Sequence, residues 1–206
     1  MEDLNLQDIL RAIETDLSDP SIIQDNKLIF QYNGKSYRVR MPNQLEESIA
    51  QNEKNSSFGK LLMTEGYYLK NKLKQLLKEK QGVDIDELEN EKNKINSKIQ
   101  DFQLSLAQKY DEDVNAIQIL KDKINDLSQQ RIEIAIKISQ YLSCAIEDNI
   151  EKIYIQSLSA QCSEVFEEEK WVKVWPSVKA YQEDSSLLAT KVLAYMSYLL
   201  MNVRAI

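Results

Sequence analysis

Clustered carboxylates are the first residues in this chain whose spacing could do chemistry. Five of them fall within eight residues: Asp84, Asp86, Glu87, Glu89 and Glu91. Carboxylate oxygens are the ligands that Mg²⁺ and Ca²⁺ prefer. The run also lies where a helix is predicted to begin, and the helix dipole favours acids there. We therefore interpret it, like the acidic run at 111–113, as a helix start, and we predict no metal site.

The groups that usually carry catalysis are scarce. The chain has no histidine, so a serine nucleophile would lack its usual base. Its four glycines are isolated and form no phosphate-binding loop. On one continuous helix, Cys144 and Cys162 would lie ~27 Å apart, too far for a disulfide, and we expect two reduced thiols in a cytosolic protein. The sequence predicts a non-enzymatic protein without cofactor or metal.

Charge and hydropathy restrict the classes of partner. The net charge of −7 is unfavourable for binding nucleic acid or an anionic membrane, because both need clustered basic residues. The most apolar segment, 187–203, carries Lys191 and is shorter than the ~20 residues of a membrane span. We expect neither nucleic acid nor membrane as a partner, and we predict protein partners.

The sequence predicts long helices, and these must position any functional residues of the chain. Residues 83–175 contain no glycine or proline and hold two heptad seams, each with one charged interruption. The first seam is Ile85, Leu88, Lys92, Ile95, Ile99, Phe102 and Leu106. The second seam is Ile117, Leu120, Ile124, Leu127, Arg131, Ile134, Ile138, Tyr141 and Ala145.

Two arrangements fit these seams. A polar stretch at 108–113 is suited to the tip of an antiparallel helical hairpin. The alternative is one unbroken helix of ~90 Å whose exposed seam would require a second chain, so a homo-oligomer stays open. We favour the hairpin.

A β-hairpin is predicted over residues 27–41. Asn33-Gly34 separates two alternating runs and is the preferred two-residue turn, because both positions need positive φ. Arg38 and Arg40 take the face opposite the apolar one, towards solvent or an acidic partner. A lone hairpin is marginal in water, and the alternating segment 170–175 is the candidate third strand.

Further helices are predicted at 3–17, 44–52, 68–80, 145–168 and 187–203. The fold class is mainly α (α+β), with a long antiparallel coiled-coil hairpin on a small helical body that carries the β-hairpin. We assign residues 1–82 and 146–206 to the body and 83–145 to the coiled-coil hairpin. The last helix is apolar nearly all round, so it is either buried or held for a partner.

Aromatic, arginine and apolar positions form the predicted partner-binding set. Its members lie on the last helix, the candidate third strand and the hairpin: Leu188, Val192, Tyr195, Leu199, Trp171, Trp175, Arg38 and Arg40. Trp171, Trp175 and Tyr181 could form a binding face, but aromatic residues at this spacing are more often core residues.

A series of short motifs follows a fixed order along residues 28–181. They are Phe30-x-Tyr32-x-Gly34-Lys35-x-Tyr37-x-Val39-Arg40-x-Pro42, Glu65-Gly66, the helix end at Leu73-x-x-Leu76-Leu77-Lys78-Glu79-Lys80-x-Gly82, the charged heptads, Cys162, Trp175-x-Ser177 and Tyr181. This order resembles a family of tailed-bacteriophage tail or baseplate assembly chaperones.

This resemblance implies a protein that holds an aggregation-prone tail or baseplate component before assembly, in the cytoplasm of the host cell or in the virion. It offers no catalytic residues. The alternatives are a structural subunit that remains in the particle and a cellular coiled-coil adaptor.

Overall fold

The computed structural model describes residues 23–24, 26–108 and 114–203. The helix predicted at 3–17 and most of the predicted hairpin tip lie outside these residues. The strands are β1 Ile23–Gln24, β2 Lys27–Tyr32, β3 Lys35–Arg40, β4 Ser163–Glu167 and β5 Lys170–Lys173. The helices are α1 Gln44–Leu62, α2 Lys70–Gln81, α3 Ile85–Gln108, α4 Val114–Tyr141, α5 Ile146–Cys162, α6 Val178–Gln182 and α7 Leu187–Val203.

The chain divides into two compact units, and the mainly α, α+β fold class is confirmed. Unit 1 comprises the described residues up to Thr64 and from Asn149 onward, and unit 2 comprises Glu65–Asp148. Residues 65–82, which the sequence analysis assigned to the body, therefore lie in unit 2. Their apolar residues Leu73 and Leu77 share a core with Ile85 and Ile138 of the helical hairpin.

Unit 1 is built on an antiparallel sheet with the strand order β1-β2-β3-β4-β5. The predicted hairpin forms β2 and β3, and its turn residues Asn33 and Gly34 have φ of 49° and 74°. Positive φ at both positions matches the twist of the flanking strands, which explains why this pair occupies the turn.

The strand next to the hairpin is not the predicted one. The helix expected over 145–168 ends at Cys162, and Ser163–Glu167 pairs with β3 through Arg38–Glu164 and Val39–Ser163. Residues 170–173 join the sheet as its fifth strand. Pairing with β3 overrides the helical periodicity, because Ser163 and Val165 become buried while Phe166 and Glu167 stay exposed.

Helix α7 covers the inner face of the sheet in unit 1. The Tyr195 ring meets Phe30 edge-on with centroids 4.8 Å apart. Trp175 packs edge-on against Tyr181 at 4.8 Å and donates its indole N–H to Asp184 at 2.9 Å. The near-complete apolarity of α7 is thus accounted for by burial within its own chain.

Unit 2 contains the predicted antiparallel helical hairpin, formed by α3 and α4. Ile85 shares a core with Ile138, while Lys123 lies over the Phe102 ring at 5.7 Å, so the helices run in opposite directions. Every position of the first seam is buried or part-buried, and Asp84 caps α3 by accepting from the amide of Asp86 at 3.1 Å. The local spacing was sufficient to place both helices.

Helix α1 is longer than predicted, because it continues past residue 52 to Leu62. Its start is defined by a capping box. The Asn43 side-chain oxygen accepts from the backbone N–H of Glu46 at 3.0 Å, and the backbone N–H of Asn43 donates to the Glu46 carboxylate at 2.9 Å. The polar stretch at 52–57, which suggested a helix end, stays helical. Gly59, further along the same helix, lowers helix stability by only about 1 kcal/mol relative to alanine.

Candidate protein-binding surface

The outer face of the unit 1 sheet brings together three of the predicted partner-binding residues, Arg38, Arg40 and Trp171. In a strand, alternate side chains point to opposite faces, so Leu28 and Val39 face the core while Arg38 and Arg40 face outward. Trp171 on β5 points to the same face, because its cross-strand partner Phe166 lies two residues from Glu164, which pairs with Arg38. We call this the outer sheet surface.

Arg40 is held by a carboxylate of the same chain. Its Nη1 and Nη2 donate to Oε2 and Oε1 of Glu46 at 2.8 and 2.7 Å, and Glu46 is only 8% exposed. These hydrogen bonds lower the pKa of the Glu46 carboxyl, an effect that burial opposes and the Asn43 amide reinforces. They also raise the pKa of the Arg40 guanidinium. The fork joins the end of β3 to the first turn of α1.

Glu164 is shared between the two arginines. Its Oε2 accepts from Nε of Arg38, and its Oε1 lies 3.4 Å from Nε of Arg40. All three side chains are at least three-quarters buried. The acidic partner expected for Arg38 and Arg40 is therefore supplied in the structure by Glu46 and Glu164.

The aromatic part of the outer sheet surface adjoins this charged cluster. The Arg38 guanidinium carbon lies 4.4 Å from the centroid of the Trp171 ring, within the range of a cation–π interaction. Trp171 also contacts Phe166, with centroids 5.2 Å apart, and Phe166 is 45% exposed. The ion pairs thus support an aromatic pair of which Phe166 is exposed and Trp171 is part-buried.

The other five predicted binding residues are not on a surface. Leu188, Val192, Tyr195, Leu199 and Trp175 are each no more than 8% exposed and belong to the core of unit 1. The sheet and neighbouring helices cover these side chains, so they do not form a surface in the folded unit, and their role as partner contacts stays a prediction. Helical apolarity alone does not distinguish a buried face from one held for a partner.

Three residues of this surface and its ion pairs were not among the predicted site residues: Glu46, Glu164 and Phe166. Glu46 had a detectable signal, because it follows Asn43 by three residues in a capping-box pattern. Glu164 and Phe166 had none, since their segment was predicted to be helical. Only strand pairing with β3 and β5 places them beside Arg38 and Trp171.

The thiol of Cys162 lies against the same carboxylate that holds Arg40. Cys162 donates to Glu46 Oε2 at 3.6 Å, and burial raises the pKa of its thiol to about 12, which keeps it protonated and unreactive at neutral pH. Across residues 23–24, 26–108 and 114–203, no group of three His, Cys, Asp or Glu side chains could hold a metal ion.

No helix in the described part of the chain is both long and apolar enough to cross a membrane. Comparison with protein-family models, curated proteins and solved structures finds no match to this chain.

Proposed function

We propose that this protein is a non-enzymatic assembly factor that binds another protein through the outer sheet surface of unit 1. The observation that carries the proposal is the Phe166–Trp171 pair, in which Phe166 is exposed and the part-buried Trp171 ring lies under Arg38, itself held by Glu164. Phe, Trp and Arg are the residue types enriched at protein interfaces. Rigid aromatic anchors also bind at low entropic cost, because few side-chain torsions are lost.

The motif order described above suggests the class of client. In tailed bacteriophages it is a tail or baseplate component that would aggregate before assembly. The client-binding surface in this proposal is the sheet and not the C-terminal helix, because α7 is committed to the core of its own unit.

Co-expression tests the proposal. Each tail and baseplate component encoded with this chain is produced with and without the tagged protein. We expect one component to become soluble and to co-purify at a fixed ratio. The idea fails if that component is equally soluble on its own.

Surface variants test the assigned site in the same experiment. Phe166→Ala with Trp171→Ala should reduce co-purification at least tenfold, since central aromatic contacts dominate interface energies. The matched control is Phe58→Ala, which removes another exposed aromatic of unit 1 that lies on α1. Equal loss in both variants, with circular dichroism unchanged, would reject the outer sheet surface as the site.

Mass spectrometry of purified particles separates an assembly factor from a structural subunit. We expect the chain to be absent or far below the stoichiometry of the tail proteins. A stoichiometric amount in the particle would instead favour a virion component that uses the same surface.

A further inference from the structure

The β5 edge of the sheet has hydrogen-bonding groups that the described chain does not use. Strand β5 is last in the strand order, and no described strand pairs with its other side. The Val174 amide donates to the Ser163 carbonyl at 3.1 Å, in register with the β4–β5 ladder. Because bonded pairs alternate in an antiparallel ladder, the N–H and C=O groups of Trp171 and Lys173 point to the free edge.

The charges across the sheet alternate up to this edge. The register aligns Ile29, Arg38, Glu164 and Lys173 in one row across β2, β3, β4 and β5. Glu164 is engaged by Arg38 and by Arg40, which leaves Lys173 exposed at the end of the row. Opposite charges directly across a strand pair are favourable, so the next position in the row suits a carboxylate.

A second outward-facing residue of β5, Trp171, favours an aromatic residue in the added strand. Trp171 lies two residues from Lys173 and therefore on the same face. Its ring already contacts Phe166 on one side, and a strand added at the free edge would bring a side chain to the other. An aromatic or large apolar residue fits best there, because aromatic cross-strand pairs stabilise a sheet.

We infer that β5 accepts an extended partner segment by strand addition, with an acidic residue opposite Lys173 and an aromatic residue opposite Trp171. The inference rests on the proposed function, since it specifies how a client would meet the outer sheet surface. In an antiparallel addition the acidic residue precedes the aromatic one by two positions, and in a parallel addition it follows. Strand addition is a common mode of peptide recognition.

Charge at the other end of β5 limits where the acidic residue can lie. Glu168 and Glu169 form the exposed β4–β5 turn, and Lys170 Nζ is 3.9 Å from Glu168. An acidic residue beside that turn would be repelled, whereas Lys173 lies at the far end of the strand. A second copy of the chain is a poorer occupant. Antiparallel pairing with Trp171 opposite Trp171 would need Glu169 opposite Lys173, but Glu169 lies in the β4–β5 turn with φ of 63°, outside the extended strand.

The test uses a defined peptide and the full-length protein. An acetylated octapeptide, Thr-Thr-Glu-Thr-Phe-Thr-Val-Thr, is titrated into ¹⁵N-labelled protein and followed by NMR and amide hydrogen exchange. We expect saturable shifts at Trp171 and Lys173 and at least tenfold slower exchange of their amides. A peptide with Lys in place of Glu should bind at least tenfold more weakly.

Two substitutions at one position separate backbone from charge. Lys173→Pro removes the outward N–H and the charge, while Lys173→Ala removes only the charge; the β4 ladder is kept in both, since this N–H points away from it. We expect peptide affinity to fall at least twentyfold for Lys173→Pro and about three- to fivefold for Lys173→Ala.

Several results would overturn the inference. These are equal binding by both Lys173 variants, shifts confined to the opposite, β1 edge of the sheet, equal affinity for the acidic and basic peptides, or protection of the same amides by self-association in the absence of peptide. If Lys173→Pro retains the co-purified client while Phe166→Ala with Trp171→Ala loses it, the outer sheet surface binds the client without strand addition. That pattern rejects this inference and leaves the proposed function intact.

Discussion

Arg40 and Glu46 are joined by two parallel hydrogen bonds of 2.7 and 2.8 Å that tie the end of β3 to the first turn of α1. The Glu46 carboxylate also accepts the Asn43 amide at 2.9 Å and therefore completes the capping box of the helix. The Glu46 side chain thus accepts from a backbone N–H at the helix start that has no partner within the helix, and it neutralises Arg40 of the outer sheet surface. Its removal should affect both the helix and the surface.

Replacing Glu46 with Gln should destabilise unit 1. The largely buried Arg40 guanidinium would lose its bidentate counter-ion and keep only the longer contact with Glu164, and we expect the free energy of unfolding to fall by about 2–3 kcal/mol. Urea unfolding followed by tryptophan fluorescence measures this unit alone, because Trp171 and Trp175 both lie in it. The control is Glu183→Gln, which breaks an exposed ion pair with Lys179 and should change the free energy by under about 0.5 kcal/mol.

The stability of unit 1 should depend on pH through the same carboxylate. The folded-state pKa of Glu46 is lowered, chiefly by its hydrogen bonds to Arg40. A lowered pKa means that this contribution is fully present above the unfolded pKa of about 4.3 and is lost as pH falls through the folded value. We expect the unfolding free energy to decrease below about pH 4.3 and to decrease less steeply in Glu46→Gln. Identical slopes in the two proteins between pH 5 and pH 2 would contradict this assignment.

Truncation of α7 distinguishes a core helix from a surface held for a partner. Leu199 is fully buried, so Leu199→Ala should lower the unfolding free energy by about 3 kcal/mol through lost burial and an added cavity. Met201 on the same helix is 74% exposed, and Met201→Ala should change it by less than about 0.5 kcal/mol. If Leu199→Ala were as stable as the parent, α7 would have to be accessible in solution.

A substitution in the β4–β5 turn should increase the stability of unit 1. Glu168 and Glu169 adopt φ of 48° and 63°, a left-handed conformation that L side chains adopt only at a cost. Glu169→Gly should therefore raise the unfolding free energy by about 1 kcal/mol in the same fluorescence assay. Glu169→Ala removes the charge but not the strain, and a gain of equal size in this variant would show that charge repulsion, and not backbone conformation, is responsible.

In the β2–β3 turn a glycine already occupies a position with positive φ, so its replacement should lower stability. Gly34 has φ of 74° and open space where a Cβ would lie, so a substitution meets a backbone cost and no clash. Gly34→Ala should destabilise unit 1 by about 1 kcal/mol. Unchanged stability in this variant would mean that the turn can change its type without loss.

The sequence by itself determined the elements whose cause is local. The Asn33-Gly34 turn was predictable because few residue pairs tolerate positive φ twice, and α3 and α4 were predictable because their seams repeat at heptad spacing. Local spacing also placed the Asp84 cap and the outward direction of Arg38 and Arg40.

Tertiary structure alone decided the rest. The segment 163–167 has helical periodicity, yet it pairs as β4 because β3 offers it hydrogen-bonding partners and a buried face. Whether α7 was core or surface depended on which sheet it met, and the pairing of Arg40 with Glu164 joins residues 124 positions apart. The local sequence pattern does not predict such contacts, because they form only when strands that are distant in sequence pair in a particular register.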